Sequence, residues 1–141
     1  MAKQRLVSDI LMEVSKETSR KKKIQILKSH NKNQALVTML KLAFDESLVW
    51  ELPEGEPPFK KNELFQEENT SGLYQELRKM KYFIKGRNNL KPIKREQLFI
   101  EILEMVHPDE AQLILWCKDG KLPYNGVTEK LVKEAFPGLI K

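Results

Sequence analysis

The sequence is poor in the residues that build disulfides and metal centres. It has one cysteine, Cys117, and two histidines among 141 residues. A single cysteine excludes an intrachain disulfide and is typical of a reducing, cytosolic compartment. A four-ligand zinc site needs more Cys and His side chains than these three. We therefore expect no bound metal, and we interpret Cys117, which follows Trp116 on an apolar helix face, as a core thiol.

Long apolar runs and phosphate-binding glycine motifs are also missing. No apolar stretch approaches the roughly 18 residues of a membrane span, and no secretory signal is visible at the N-terminus. The six glycines form no loop of the Walker or dinucleotide-binding type. Lys118-Asp119-Gly120 lacks the intervening residue of the Lys-x-Asp-Gly nucleotidyltransferase motif, so we interpret it as a helix end. We expect His30 and His107 to be surface or capping residues. Together these absences predict a protein with no catalytic residues, no cofactor and no membrane partner.

Apolar residues recur at helical spacing along most of the chain, and no segment shows convincing strand alternation. Helices are predicted at about residues 4–17, 20–29, 33–45, 71–86, 92–106, 108–118 and 128–136. Thr18 or Ser19, Thr70-Ser71 and Thr128 are expected to cap three of them, because their side-chain oxygens accept from first-turn N–H groups. The sequence thus predicts an all-α fold of about six or seven helices in a single domain, residues 1–141.

The helical spacing also predicts which side chains are buried. On the helix at 92–106, we expect Ile93, Leu98, Ile102 and Met105 to face inward. The predicted core of the whole domain consists of Leu11, Ile26, Leu27, Leu40, Leu77, Leu98, Ile102, Leu113, Leu131 and Phe136.

The segment 50–62 holds three prolines and one glycine, which exclude a regular helix or strand. Trp50, Leu52 and Phe59 can pin it to the core. We therefore predict an ordered crossover loop within the domain, and its acidic part at 51–58 is suited to a basic partner.

Positive charge is concentrated in two blocks. Eight Lys or Arg residues and no acid lie between Leu77 and Arg95, and seven lie between Lys16 and Lys32 against the single acid Glu17. Because the whole chain is only +5, the remainder is net acidic. Basic surfaces of this kind attract phosphate backbones by Coulomb attraction and counterion release, whereas the alternative interpretation is a set of solvated helix faces.

A third phosphate-binding candidate is the helix start that follows Tyr124-Asn125-Gly126. A glycine before a capped helix lets a backbone approach closely, and the first-turn N–H groups attract anions. The candidate DNA-binding residues from all three regions are Arg20, Lys21, Lys22, Lys23, Lys85, Arg87, Lys91, Lys94, Gly126, Thr128 and Lys130.

Both ends of the chain resemble a known domain. Ile10-Leu11-Met12-Glu13-Val14 with residues 18–28, and Asn125-Gly126-Val127-Thr128 with the helix closed by Phe136-Pro137-Gly138-Leu139-Ile140, resemble the N-terminal DNA-binding domain of ATP-dependent DNA ligases of the T-even phage type. The segment Leu52-Pro53-Glu54-Gly55-Glu56-Pro57-Pro58 is similar to one in small uncharacterised proteins of T-even-like phages. The resemblance implies a compact helical domain that grips the minor groove of duplex DNA. By position, it places Gly126, Thr128 and Lys130 at a phosphate-contacting helix start and residues 87–91 at another contacting loop.

These observations lead to one expectation with two alternatives. We expect a non-catalytic phage accessory protein, located in the host cytoplasm, that binds double-stranded DNA through phosphate contacts and largely without regard to sequence. The first alternative is a protein-interaction module that uses the ligase-domain scaffold to bind a host or phage replication, transcription or defence protein. The second is a structural component of the virion.

Overall fold

A computed structural model of the chain describes residues 6–60 and 73–140. These residues form seven α-helices and one 3-10 segment, and no strand is found among them, which confirms the all-α fold class. None of the described helices is long and apolar enough to cross a membrane. The elements are α1 Val7–Lys16, α2 Arg20–Ser29, α3 Gln34–Phe44, α4 Leu73–Glu76, the 3-10 segment Leu77–Phe83, α5 Pro92–Met105, α6 Pro108–Asp119 and α7 Glu129–Ala135.

Side-chain caps fix most of the helix starts. The oxygens of Ser19, Asn33 and Thr128 accept hydrogen bonds from first-turn N–H groups of α2, α3 and α7. At α6 the Nδ1 atom of His107 accepts from the N–H two residues on, at 3.0 Å. Gly120 ends α6 with a φ of 67°, a conformation that glycine adopts without a Cβ penalty. The predicted caps at residues 19 and 128, and the interpretation of residues 118–120 as a helix end, are confirmed.

The helix predicted at 71–86 is wrong in type. One α-helical turn, α4, passes directly into the 3-10 segment, which ends at Phe83. The chain then becomes extended, because Lys85 N–H donates to the Val49 carbonyl and Glu51 N–H donates to the Phe83 carbonyl, both at 2.7 Å. These contacts flank an isolated antiparallel bridge between Trp50 and Ile84. Backbone groups used in this long-range pairing cannot continue a helix. The predicted cap at residues 70–71 lies outside the described residues.

The core lies where α3 packs on α6, with α1 and α5 also packed against α6. Phe83 links the core to the bridge, since its ring stacks on Trp50 at 6.4 Å and meets Phe99 edge-on at 5.1 Å. On the other side, α7 packs on α2. Of the predicted core, Leu11, Leu27, Leu40, Ile102, Leu113 and Leu131 are buried, whereas Ile26, Leu77, Leu98 and Phe136 are half-buried.

Helix α5 is rotated relative to the prediction. Ile93 and Met105, which were expected to face inward, are 69% and 50% exposed. The face that packs inward carries Phe99, Ile102 and Leu103 instead. Apolar residues occur around most of this helix, so their spacing alone does not select one face.

The proline-containing loop is held at several points through residue 60. The Trp50 indole donates to the Leu42 carbonyl at 3.3 Å, and the Lys118 ammonium donates to the Pro53 carbonyl at 2.8 Å. Farther along, Lys60 N–H donates to a carboxylate oxygen of Glu104 at 2.7 Å. The loop therefore lies against α5 and α6 over the part of it that the structure describes.

Candidate nucleic-acid interface

The turn between the 3-10 segment and α5 has a fixed shape. Asn88 lies at its centre: its amide nitrogen donates to the carbonyls of Lys81 and Ile84 at 3.2 and 3.1 Å, and its amide oxygen accepts from Leu90 N–H at 3.0 Å. Gly86 takes a positive φ of 83°, which lets the chain reverse here. The turn is thus organised by its own hydrogen bonds before any ligand arrives.

Arg95 ties this turn to α5. Although charged, it is only 7% exposed. Its guanidinium donates to the carbonyls of Tyr82 and Leu90, at 3.2 and 2.7 Å, and lies 3.8 Å from a carboxylate oxygen of Glu51. The basic run from 77 to 95 contains no acid of its own, but the charge of Arg95 is satisfied by these groups within the fold.

Four cations project from this turn and the first turn of α5. Lys85, Arg87, Lys91 and Lys94 are all exposed, and none forms an ion pair or side-chain hydrogen bond with another described residue. We call these four residues the basic turn. An unpaired cluster of one sign repels itself and favours a bound anion.

The start of α5 adds to this positive potential. Lys91 is the N-cap residue, no side chain caps this end, and the first turn contains no acid. The N–H groups of Ile93 and Lys94 have no intrahelical acceptor by the geometry of a helix start. Cations at the positive end of a helix dipole are unfavourably placed, and an anion bound among them would relieve the repulsion.

Three further cations of the 77–95 block, Arg78, Lys79 and Lys81, precede the basic turn in the chain. Lys79 pairs with Glu76 at 2.8 Å, and the Lys81 ammonium lies 5.4 Å from the centre of the Tyr82 ring. Arg78 is exposed. Among the described residues of this block, exposed charge without an ion-pair partner is therefore densest in the basic turn.

The α2 block contains one buried member. Lys23 is 7% exposed, and its ammonium donates to the carbonyls of Val14 and Asn125 at 3.0 and 3.2 Å. The expectation that Lys23 belongs to an exposed basic surface is wrong, because the end of α1 and the loop before α7 enclose its charge. Lys21 and Lys22 are exposed.

Helix α7 supplies a partner for the first cation of this block. Arg20 donates to a carboxylate oxygen of Glu134 at 2.8 Å, and this hydrogen bond lowers the pKa of the Glu134 carboxyl. Both side chains are nearly half exposed. Such a surface pair contributes little to stability, but it reduces the free positive charge of α2.

The helix start at 126–130 has a structural explanation of its own. Gly126 has a φ of 76°, and a Cβ built there would lie 2.9 Å from Nζ and Cε of Lys23. Thr128 uses its hydroxyl oxygen to cap α7, accepting from Leu131 N–H at 3.2 Å. Lys130 is exposed. The positive φ and the close approach of the Lys23 side chain therefore both favour glycine at this position.

The structure brings two of the three predicted regions together. Residues 20–23 meet residues 125–130 because α7 packs on α2. The basic turn belongs to another set of contacts, formed by α5, the 3-10 segment and residues 49–51. Sequence reasoning missed the roles of Asn88 and Arg95. The only sequence signal was the asparagine itself, which lies in a turn between two basic segments.

Two side chains that could be reactive if exposed, Cys117 and Lys118, are buried. Burial raises the pKa of the Cys117 thiol, and the thiol donates to the Met39 carbonyl, which confirms a core cysteine. The Lys118 ammonium is engaged by the Pro53 carbonyl and the Asp119 carboxylate. Among residues 6–60 and 73–140, no cluster of His, Cys, Asp or Glu is arranged to hold a metal ion.

Comparison with known proteins places the chain in a family without assigning it an activity. No curated protein matches it. One family model matches residues 10–124, a range that includes the whole basic turn and ends before Gly126. Because this match covers most of the chain, the protein belongs to DUF6433, a family of unknown function.

Proposed function

We propose that this protein is a non-catalytic accessory protein that binds double-stranded DNA through phosphate contacts, with little dependence on base sequence. The observation that carries the proposal is the basic turn: Lys85, Arg87, Lys91 and Lys94 are exposed and unpaired among the described residues, around an uncapped helix start. Lys and Arg contacts to phosphate supply affinity but carry no direct sequence information.

The fixed shape of the turn supports the proposal. Asn88 and Arg95 hold the backbone through hydrogen bonds to four carbonyls, so little conformational entropy is lost when the turn meets a ligand. The resemblance of both chain ends to ligase DNA-binding domains of T-even phages also supports it, including the phage origin. The exposed cations Lys21, Lys22 and Lys130 form a second basic area on α2 and α7.

A salt-titrated binding assay tests the proposal. Duplexes of equal length and unrelated sequence should bind with similar affinity, and log K should fall linearly as log[salt] rises, because bound phosphates release counterions. Affinity that is unchanged between low and moderate salt, or that depends strongly on sequence, contradicts it.

Absence of duplex binding would favour the alternative of a protein-interaction module. That interpretation is supported by the acidic loop at 51–58, which lies against α5 and α6 and carries Glu54 and Glu56 as exposed side chains.

A further inference from the structure

The acidic loop and α5 enclose a groove of about 370 Å³. We call it the acidic groove. Leu52, Phe99 and Ile100 supply apolar surface, whereas Glu54, Glu56 and Glu96 supply carboxylates. The one lining cation, Lys118, has a side chain only 2% exposed, with its charge engaged by Asp119. The accessible charge of the groove is therefore negative.

The groove is held open by contacts at its walls. Gly55 N–H donates to the Asp119 carboxylate at 3.3 Å, and the Lys118 ammonium holds the Pro53 carbonyl at 2.8 Å. Glu54 forms an exposed pair with Lys121, at 3.1 Å, and among the described residues Glu56 and Glu96 have no ion-pair partner. A groove lined by both apolar side chains and carboxylates suits an apolar side chain flanked by cations.

Such a side chain is present on the same molecule. Ile93 is 69% exposed, the highest value among the large apolar side chains exposed in the described part of the chain. Lys91 and Lys94 flank it, and both are exposed. We call Lys91, Ile93 and Lys94 the basic knob. It matches the acidic groove in both charge and apolar character.

We propose that the occupant of the acidic groove is the basic knob of a second copy of this chain. Ile93, Glu96 and Ile100 follow one another at spacings of three and four residues, so knob and groove lie along one stripe of α5. Two copies related by a two-fold axis, with their α5 helices antiparallel, place each knob in the other copy's groove. Such an isologous contact closes at two subunits.

Because Lys91 and Lys94 also belong to the basic turn, dimer formation and DNA binding compete for these two residues. Sedimentation velocity on the complete chain without nucleic acid therefore tests the dimer contact alone. The wild-type protein should show a monomer–dimer equilibrium at micromolar concentrations that shifts toward monomer as salt rises, because exposed charges are screened. The Ile93→Ser variant should dissociate at least tenfold more readily while retaining the circular dichroism of the wild type. A wild-type protein that stays monomeric to high micromolar concentration overturns the proposal.

Reversing the charge of the acidic groove and of the basic knob, in separate variants, tests whether these two surfaces are in contact. Glu56→Lys with Glu96→Lys, and separately Lys91→Glu with Lys94→Glu, should each leave a monomer, because each makes knob and groove alike in charge. A mixture of the two variants should form a heterodimer, since both contacts are then between opposite charges. Lys21→Glu with Lys130→Glu is the matched control and should dimerise as the wild type does. The two-fold contact is contradicted if the mixture remains monomeric or if either charge-reversed variant dimerises normally. Growth into species larger than a dimer would also contradict it.

Discussion

The ammonium of Lys23 occupies the space that a side chain at position 126 would need. A Cβ at Gly126 would lie 2.9 Å from Lys23 Nζ, and Lys23 is held there by the carbonyls of Val14 and Asn125. This contact joins the end of α1, helix α2 and the start of α7 through one buried cation.

Gly126→Ala should therefore destabilise the fold for two reasons. The positive φ costs an alanine about 1–2 kcal/mol, and the new methyl group meets a lysine that cannot move without losing hydrogen bonds. Gly138→Ala is the matched control, since Gly138 has a φ of 86° with open space around its Cβ. Urea denaturation should show a larger loss of stability for position 126 than for position 138. Equal losses of stability at the two positions would mean that contact with Lys23 adds nothing to the cost of the Gly126→Ala substitution.

Lys23→Met should lower stability by about 1–3 kcal/mol, because it keeps the apolar stem but removes the charged donor that the carbonyls of Val14 and Asn125 share. The exposed neighbour Lys22 provides the control, and Lys22→Met should change stability by less than about 0.5 kcal/mol. Denaturation midpoints at neutral pH measure both. If the two variants are equally stable, Lys23 does not fasten α1 and α7 as described.

Asp45 gives the fold a defined acid sensitivity. The Ser47 hydroxyl donates to its carboxylate at 2.6 Å and the Lys41 ammonium lies at 3.1 Å, and together they hold the pKa of this carboxyl well below its usual range. A carboxyl with a lowered folded-state pKa stabilises the fold above its unfolded pKa of about 3.9, and this contribution is lost as pH falls toward the folded value.

The comparison with Asp45→Asn measures this contribution. The wild-type protein should be the more stable of the two at pH 7, and the difference should shrink as pH falls below about 4. Free energies of unfolding at several pH values test it. A difference that is independent of pH down to acid conditions would show that the Asp45 charge is not what stabilises this end of α3.

Arg95 is predicted to act on the basic turn by positioning it. Arg95→Met removes the donors to Tyr82 and Leu90, so the amides of the turn should exchange with solvent faster and duplex DNA should bind more weakly. Lys94→Met removes one charge from the same helix without touching those hydrogen bonds and is the control for exchange. Unchanged exchange in Arg95→Met would remove the argument for a preorganised turn.

Much of the fold follows from local signals. Caps at Ser19 and Thr128 and the glycine at 120 mark helix ends by chemistry that acts within a few residues. The bridge between Trp50 and Ile84 does not, because it joins segments distant in the chain and overrides the helical spacing after Phe83. The predicted inward positions of Ile93 and Met105 fail because several faces of α5 are apolar.

From the sequence, the candidate site could be located only as a stretch of the chain and not residue by residue. Charge density identified the stretch that contains Lys85, Arg87 and Lys91, since charge can be read directly from the sequence. The burial of Lys23 and Arg95 was not predictable, because lysine and arginine are mostly exposed and only the tertiary arrangement of carbonyl groups around them makes burial favourable.

The two basic areas of the surface can be separated by paired substitutions. Lys85→Ala with Arg87→Ala removes two cations from the basic turn, outside the basic knob. Lys21→Ala with Lys130→Ala removes the same charge from α2 and α7 and serves as the matched control. All four residues are exposed, so both variants should keep the stability of the wild type within about 0.5 kcal/mol per substitution.

Phosphate binding by the basic turn is tested most directly by the slope of log K against log[salt] for duplex DNA, measured for the wild type and these two variants. The magnitude of the slope should fall by roughly 0.9 for each phosphate that the Lys85→Ala, Arg87→Ala variant no longer binds. The fall should be similar on unrelated sequences and smaller in the control. A slope and affinity equal to the wild type in the Lys85→Ala, Arg87→Ala variant would contradict phosphate binding by the basic turn.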